Sequence, residues 1–195
     1  NVSEELDTYK NSKVDLKPRS KVKFDLEIDT LRLFLQKYGA EYLDQCTSET
    51  MDHYFYELNK ERKDPRRTSD KLVKAAPKTI NSYLATAKAF FKREVERGII
   101  NRSPMAHIKN LRVEKRPPEF YSEYELELFF KQEMQEDYRD VFTCFLLTGL
   151  RFGECANLEW SDIDFQRGLM RIEARDGFTP KSASSNRVIP IHKDL

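Results

Sequence analysis

The 195-residue sequence is sparing with the residues that cross-link, ligate or span. Its three cysteines, Cys46, Cys144 and Cys155, are odd in number, far apart, and form no Cys-x-x-Cys pair. That excludes a disulfide framework and reads as reduced intracellular thiols, with Cys144 expected in the core because it lies in an apolar run. The three histidines, His53, His107 and His192, are isolated, and none has the spacing of a metal ligand set. No metal and no cofactor are expected. No apolar run approaches the roughly 18 residues that a membrane-spanning helix needs, so no membrane partner is expected either. The opening NVSEELDTYK is acidic and polar and lacks the texture of a secretory signal. Internal repeats and low-complexity tracts are missing as well.

What is present supports a globular chain. Apolar residues make up 39% and aromatic residues 12%, enough for a sizeable core in one large or two small domains. Charged residues make up 34%, and the formal net charge of +1 conceals an asymmetry. Residues 1–112 hold 23 Lys/Arg against 17 Asp/Glu, whereas residues 113–195 hold 11 against 16. Within 60–112 the balance is 15 against 5. A concentrated basic stretch is the electrostatic footprint of a polyanion partner, and it is equally compatible with a solvated helical face.

Helical spacing dominates the first half. A short helix is expected over 3–11, and Pro18 opens a longer one with apolar positions Val22, Phe24, Ile28, Leu31, Phe34, Leu35 and Tyr38, closed by Gly39. Thr47 or Ser48 caps the next, which carries Met51, Tyr54, Phe55 and Leu58. Segment 60–77 is basic, is broken by Asp64-Pro65, and reads as a loop. The clearest helix is 78–97, where Ile80, Tyr83, Leu84, Ala87, Phe90, Phe91 and Val95 recur at three- and four-residue steps. Lys78 lies at its start, and Asn81, Ser82, Lys88, Lys92 and Arg93 fall largely away from the apolar face. A polar, basic helix face can enter a major groove.

Residues 109–118, KNLRVEKRPP, combine Lys115, Arg116 and two further basic residues with a Pro-Pro pair, and read as a linker. It divides a domain over 1–108 from a second over 119–195. In the second, Ser122 with Glu125 is a capping box opening a helix through Leu126, Leu128, Phe129 and Phe130. Another helix begins near Asp137 and breaks at Thr148-Gly149. Strand-like runs then appear at 168–174 and 186–191. The expected fold class is mainly α with a small antiparallel β-sheet: an all-helical domain, a linker, then an α+β segment.

Two segments carry the chemistry. In LLTGLRFGECANLEWSDIDF, residues 146–165, an apolar helix runs into Thr148-Gly149 and presents Arg151, with Glu154 three residues on. A planar guanidinium suits a two-point grip on phosphate, and a carboxylate on the same helical face can hold it. The plainer alternative is a surface Arg–Glu pair worth less than about 1 kcal/mol. In TPKSASSNRVIPI, residues 179–191, Lys181 sits in a polar turn between strand-like runs, where it is either an ordinary turn lysine or one aimed at a reacting oxygen.

Taken together these segments resemble the tyrosine recombinase (phage integrase) family. The family's pattern around its first catalytic arginine appears here as TGLRFGE followed by Leu158, Trp160 and Asp162, and its hairpin lysine is matched by Lys181 with Arg187 and VIPI at 188–191. Residues 78–105 resemble the last helix of the family's core-binding domain. The resemblance implies a helical (SAM-like) core-binding domain followed by the first part of an α+β catalytic domain. It also implies DNA strand cleavage through a covalent 3′-phosphotyrosyl intermediate, without a metal. By that likeness Arg151 grips the phosphate, Glu154 supports Arg151, and Lys181 is the general acid. Lys78, Asn81, Ser82, Lys88, Lys92, Lys115, Arg116 and Arg187 are the candidate DNA contacts. The implied partners are double-stranded DNA and further protomers, a tetramer for the parent protein, in a cytoplasmic, nucleoid-associated setting.

One departure matters. The family's later His-x-x-Arg and nucleophilic tyrosine have no match: His107 is followed by Ile-Lys-Asn, His192 by Lys-Asp-Leu, and none of the nine tyrosines follows such a motif. The expectation is a piece that binds DNA without cutting it, with the nucleophile beyond Leu195. The competing readings are a non-catalytic DNA-binding regulator derived from a recombinase and a helical interaction protein with a solvated basic face.

Overall fold

The computed structural model describes residues 1–63, 72–115, 117–179 and 185–195. The chain divides into two compact units, Asn1–Arg116 and Pro117–Leu195. The fold is mostly helical with a small three-stranded antiparallel sheet, as the sequence pattern predicts.

The first unit is built on four helices: α1 (Val2–Asn11), α2 (Pro18–Lys37), α3 (Ser48–Asn59) and α4 (Pro77–Glu96). Pro18 and Pro77 occupy first helical turns, where a missing N–H costs nothing. Thr47 caps α3 by accepting from the Thr50 backbone N–H at 3.2 Å. The apolar stripe of α4 does what its spacing predicts. Ile80, Leu84, Ala87, Phe90 and Phe91 are all buried, and each large side chain removed from water contributes about 1.5–3 kcal/mol. They meet Leu6 and Tyr9 of α1, Ile28, Leu31 and Leu35 of α2, and Met51, Tyr54 and Leu58 of α3 in one core.

Two glutamates lie inside this unit. Glu27 of α2 accepts from Ser82 Oγ at 2.6 Å and Thr86 Oγ1 at 2.5 Å, tying α2 to α4. Glu94 is fully buried and accepts from Arg93 at 2.7 Å and Arg97 at 2.8 Å, while Arg97 also pairs with Glu5 of α1. Hydrogen-bonded partners are what make a buried carboxylate tolerable.

The structure refines several local expectations. Val22 is 71% exposed, because the buried face of α2 runs through Ile28, Leu31, Phe34 and Leu35 instead. The ends of the segment read as a loop form a two-residue antiparallel ladder, β1 (Arg62–Lys63) with β2 (Leu72–Val73). The stretch read as a linker is fastened to the first unit at its start. Asn81 donates to the Leu111 carbonyl and accepts from the Leu111 N–H, both at 2.8 Å, and Leu111 packs on the core.

The second unit contains α5 (Glu123–Lys131), α6 (Glu136–Thr148), the short α7 (Phe152–Cys155), and strands β3 (Ile163–Asp164), β4 (Leu169–Ile172) and β5 (Arg187–Pro190) in the order β3-β4-β5. Ser122 and Glu125 form the expected capping box on α5. Met170 and Ile172 point from β4 into a small core with Leu150, joined by half-buried Cys144, Phe145, Cys155, Leu158, Ile163, Ile189 and Ile191. By contrast, α5 and α6 bury no side chain fully. Leu126, Phe129, Phe130, Phe142, Phe145 and Leu146 line an open apolar cavity of about 310 Å³ between them. No helix among the described residues is long and apolar enough to cross a membrane.

Candidate phosphate-binding site

The site is assembled by a helix end. Gly149 terminates α6 with φ at +64°, a left-handed conformation that costs a residue with a Cβ about 1–2 kcal/mol. Thr148 locks the turn: its hydroxyl donates to the Cys144 carbonyl at 2.5 Å and accepts from the Leu150 N–H at 3.2 Å. Leu150 then drops into the core, which leaves Arg151 as the residue that opens α7. Glu154, in the first turn of α7, folds back on it.

The Glu154 carboxylate is buried and its two oxygens serve three donor groups. Oε2 accepts from the Arg151 backbone N–H at 3.0 Å, and Oε1 accepts from Arg151 Nη1 at 2.8 Å. Arg187, brought in by β5, donates through Nη2 to Oε2 at 2.9 Å and through Nη1 to Oε1 at 3.2 Å. Its Nη1 also donates to the Ser185 carbonyl at 3.1 Å. The pairing of β4 with β5, with Ile172 opposite Arg187, fixes where that guanidinium arrives.

The electrostatics follow from this geometry. The Arg187 fork holds the Glu154 carboxyl down at about 2. Burial opposes the shift, while the Arg151 backbone and side-chain hydrogen bonds reinforce it. The same bond pushes Arg187 up, against its partial burial. Two guanidinium groups thus share one carboxylate, which leaves one net positive charge. Arg151 is the outward member, with its side chain 58% exposed against 29% for Arg187. A cationic, planar and accessible group of this kind is suited to an oxyanion such as a phosphate.

Other residues of the 146–165 motif build the surrounding turn and core. Asp162 accepts from the Glu159 N–H at 2.8 Å and from Arg175 Nη2 at 2.5 Å, closing the turn at Trp160–Asp162. Leu158 packs on the small core, and Trp160 is exposed.

The other candidate residues lie elsewhere. On α4, Lys78 and Lys92 are exposed, the latter 3.6 Å from Glu96, and Lys88 donates to Asn110 at 2.9 Å. Asn81 and Ser82 spend their polar groups inside the unit, on Leu111 and Glu27. Lys115 is exposed. Lys181 and Arg116 lie outside the described residues. Among the described residues, no group of three or more His, Cys, Asp or Glu side chains is placed to hold a metal ion. The partnership of Arg187 with Glu154 has no sequence signal, since 33 residues separate them and neither lies in a shared periodic pattern.

The chain is similar to known proteins over part of their length. The phage integrase family model matches residues 124–195. The ICEBs1 integrase of Bacillus subtilis is 29% identical over 130 residues, covering 60% of this chain and 35% of that protein. A tyrosine recombinase of Thermosipho africanus is 30% identical over 119 residues, covering 59% and 42%. Among solved structures, the Tn1549 transposon integrase in complex with transposon right-end DNA superposes with a TM-score of 0.72 at 18% identity, covering 99% of this chain and 61% of that one. A second structure of that integrase, with a circular-intermediate DNA, gives 0.73. At that identity the likeness is one of fold. The chain is thus similar to integrases and tyrosine recombinases, and the family model covers its second unit from Tyr124 on. It spans about a third of the length of the curated relatives it matches.

Proposed function

We propose that the protein acts in site-specific DNA recombination, with Arg151 as a phosphate-gripping residue and Glu154 as the residue that holds it. The observation that carries this reading is the arginine itself. It is fixed at its backbone and at one guanidinium nitrogen by a buried carboxylate, while most of its side chain faces solvent. The relatives' names, which include integrases and recombinases, support the same reading.

In the reaction, a tyrosine oxygen attacks the DNA phosphorus and the bond from phosphorus to the 5′-oxygen breaks. This gives a 3′-phosphotyrosyl link and a free 5′-hydroxyl. Arg151 stabilises the charge that gathers on the non-bridging oxygens. Lys181 gives its proton to the departing 5′-oxygen, a role that rests on the family resemblance alone. The exposed lysines Lys78, Lys92 and Lys115, with Lys88 and Arg116, supply duplex contacts. Further protomers assemble on the DNA, in the nucleoid. Lacking a tyrosine that follows a His-x-x-Arg motif, the 195 residues by themselves bind duplex DNA without cleaving it.

The test uses the full gene product and a nicked duplex that traps the covalent adduct. Wild type accumulates an SDS-stable protein–DNA adduct. Arg151→Ala slows its formation by about 10²–10³-fold, the usual loss for one transition-state donor, with DNA affinity changed far less. Normal adduct formation by Arg151→Ala overturns the assignment. Absence of any adduct from wild type, with duplex binding intact, favours the non-catalytic regulator.

A further inference from the structure

We propose that Arg187 is a positioning residue of the phosphate clamp, acting on Arg151 through the carboxylate they share. The inference rests on the recombinase reading of Arg151 given above. It starts from how the acceptor sites of Glu154 are divided. Arg187 takes both oxygens, Nη2 to Oε2 at 2.9 Å and Nη1 to Oε1 at 3.2 Å. Arg151 takes Oε2 only through its backbone N–H and Oε1 only through Nη1. Among the described residues, the Arg151 side chain makes no other hydrogen bond or ion pair.

That division decides what Arg151 can offer a phosphate. A carboxylate and a guanidinium left to themselves prefer the two-point, fork-to-fork pairing. With Arg187 across both oxygens, Glu154 can hold Arg151 at one nitrogen only, and the rest of the fork stays turned outward. Without Arg187, the buried carboxylate has one remaining guanidinium, and the pairing geometry draws Arg151 in. The charge balance shifts in the same direction. Two cations on one carboxylate leave a net positive charge for the phosphate, whereas one cation on one carboxylate leaves none. Arg187 is suited to a fixed role because it is three-tenths exposed, donates a further bond to the Ser185 carbonyl at 3.1 Å, and sits in the β4–β5 ladder. Nothing in this geometry requires Arg187 to touch the DNA.

The experiment follows single-turnover cleavage by the full gene product on two nicked duplexes, one with the normal scissile phosphate and one with a neutral methylphosphonate. The neutral centre lacks the charge that the clamp serves, so defects in the clamp matter less there. Arg187→Met is expected to slow cleavage of the phosphate substrate by about 10²-fold, with DNA affinity unchanged within a few-fold. That penalty shrinks at least tenfold on the methylphosphonate. Added to Arg151→Ala, the Arg187→Met change brings little further loss, because the two act as one unit. Arg187→Lys keeps the charge but cannot fork across both oxygens, so it gives an intermediate penalty with the same relief, and it serves as the probe if Arg187→Met fails to fold. An equal loss on both substrates marks a merely structural residue and overturns the proposal. So does a penalty that multiplies in full on Arg151→Ala, or none at all. If Arg151→Ala itself cleaves normally, the recombinase reading of the site fails, which is a separate result.

Discussion

Replacing Glu154 by glutamine tests the site at its centre. The glutamine keeps the shape but removes the charge, and it turns one acceptor into an amide donor that faces guanidinium N–H groups. The carboxyl titrates at about 2 in the fold against an ordinary 4.5. Such a depressed group contributes stability above its unfolded value and loses it as pH falls through its folded one. The difference is worth about 3 kcal/mol at pH 7, in line with the ~3–5 kcal/mol typical of removing one partner from a buried ion pair. At pH 3, between the two values, about half of it remains. Trp160 is the single tryptophan and lies in the second unit, so its fluorescence anisotropy under denaturant follows that unit without interference from the first. Wild type and Glu154→Gln are compared at pH 7 and pH 3. A gap below about 1 kcal/mol at pH 7, or one that stays constant between the two, refutes the claim that the two arginines hold an ionised Glu154.

Two further changes probe the scaffold. Gly149→Ala places a Cβ at φ +64° with nothing within 4 Å to clash, so only the backbone conformation is strained. It lowers the stability of the second unit by about 1–2 kcal/mol, measured by the same anisotropy, and an unchanged midpoint counts against the left-handed turn. Asn81→Ala removes both hydrogen bonds to Leu111 and costs the first unit about 1–3 kcal/mol. Amide hydrogen exchange at Leu111 accelerates in step, and unchanged protection there removes the clasp.

The sequence is most legible where one face of a helix does one job. The stripe of α4 announces its own burial, and Ser122 with Glu125 announces the start of α5, because both signals are local. Legibility fails where charge goes inside. Glu27 and Glu94 fall on the buried stripes of α2 and α4, four residues before Leu31 and three after Phe91, yet their charge argues for the surface, and their burial depends on hydroxyls and guanidiniums that only the tertiary fold supplies. It fails again in α2, where Val22, Leu26 and Leu33 are apolar yet exposed, so hydrophobicity alone does not single out the buried face. At the site, Arg151 and Glu154 are readable as neighbours three residues apart. Arg187 is not, because its place beside Glu154 is set by the register of β5 on β4.

The shared carboxylate also limits how this sequence can drift. Loss of Glu154 alone leaves two cations without the anion that holds them, and loss of Arg187 alone leaves that anion to capture Arg151 whole. Exchanging both for a neutral, well-packed pair avoids each of those states, provided the new pair still offers Arg151 the acceptors that Glu154 now supplies. Positions 154 and 187 therefore form a joint unit of inheritance. Among descendants of this chain, tolerated changes at one are expected to arrive with a change at the other, while Arg151 stays where it is.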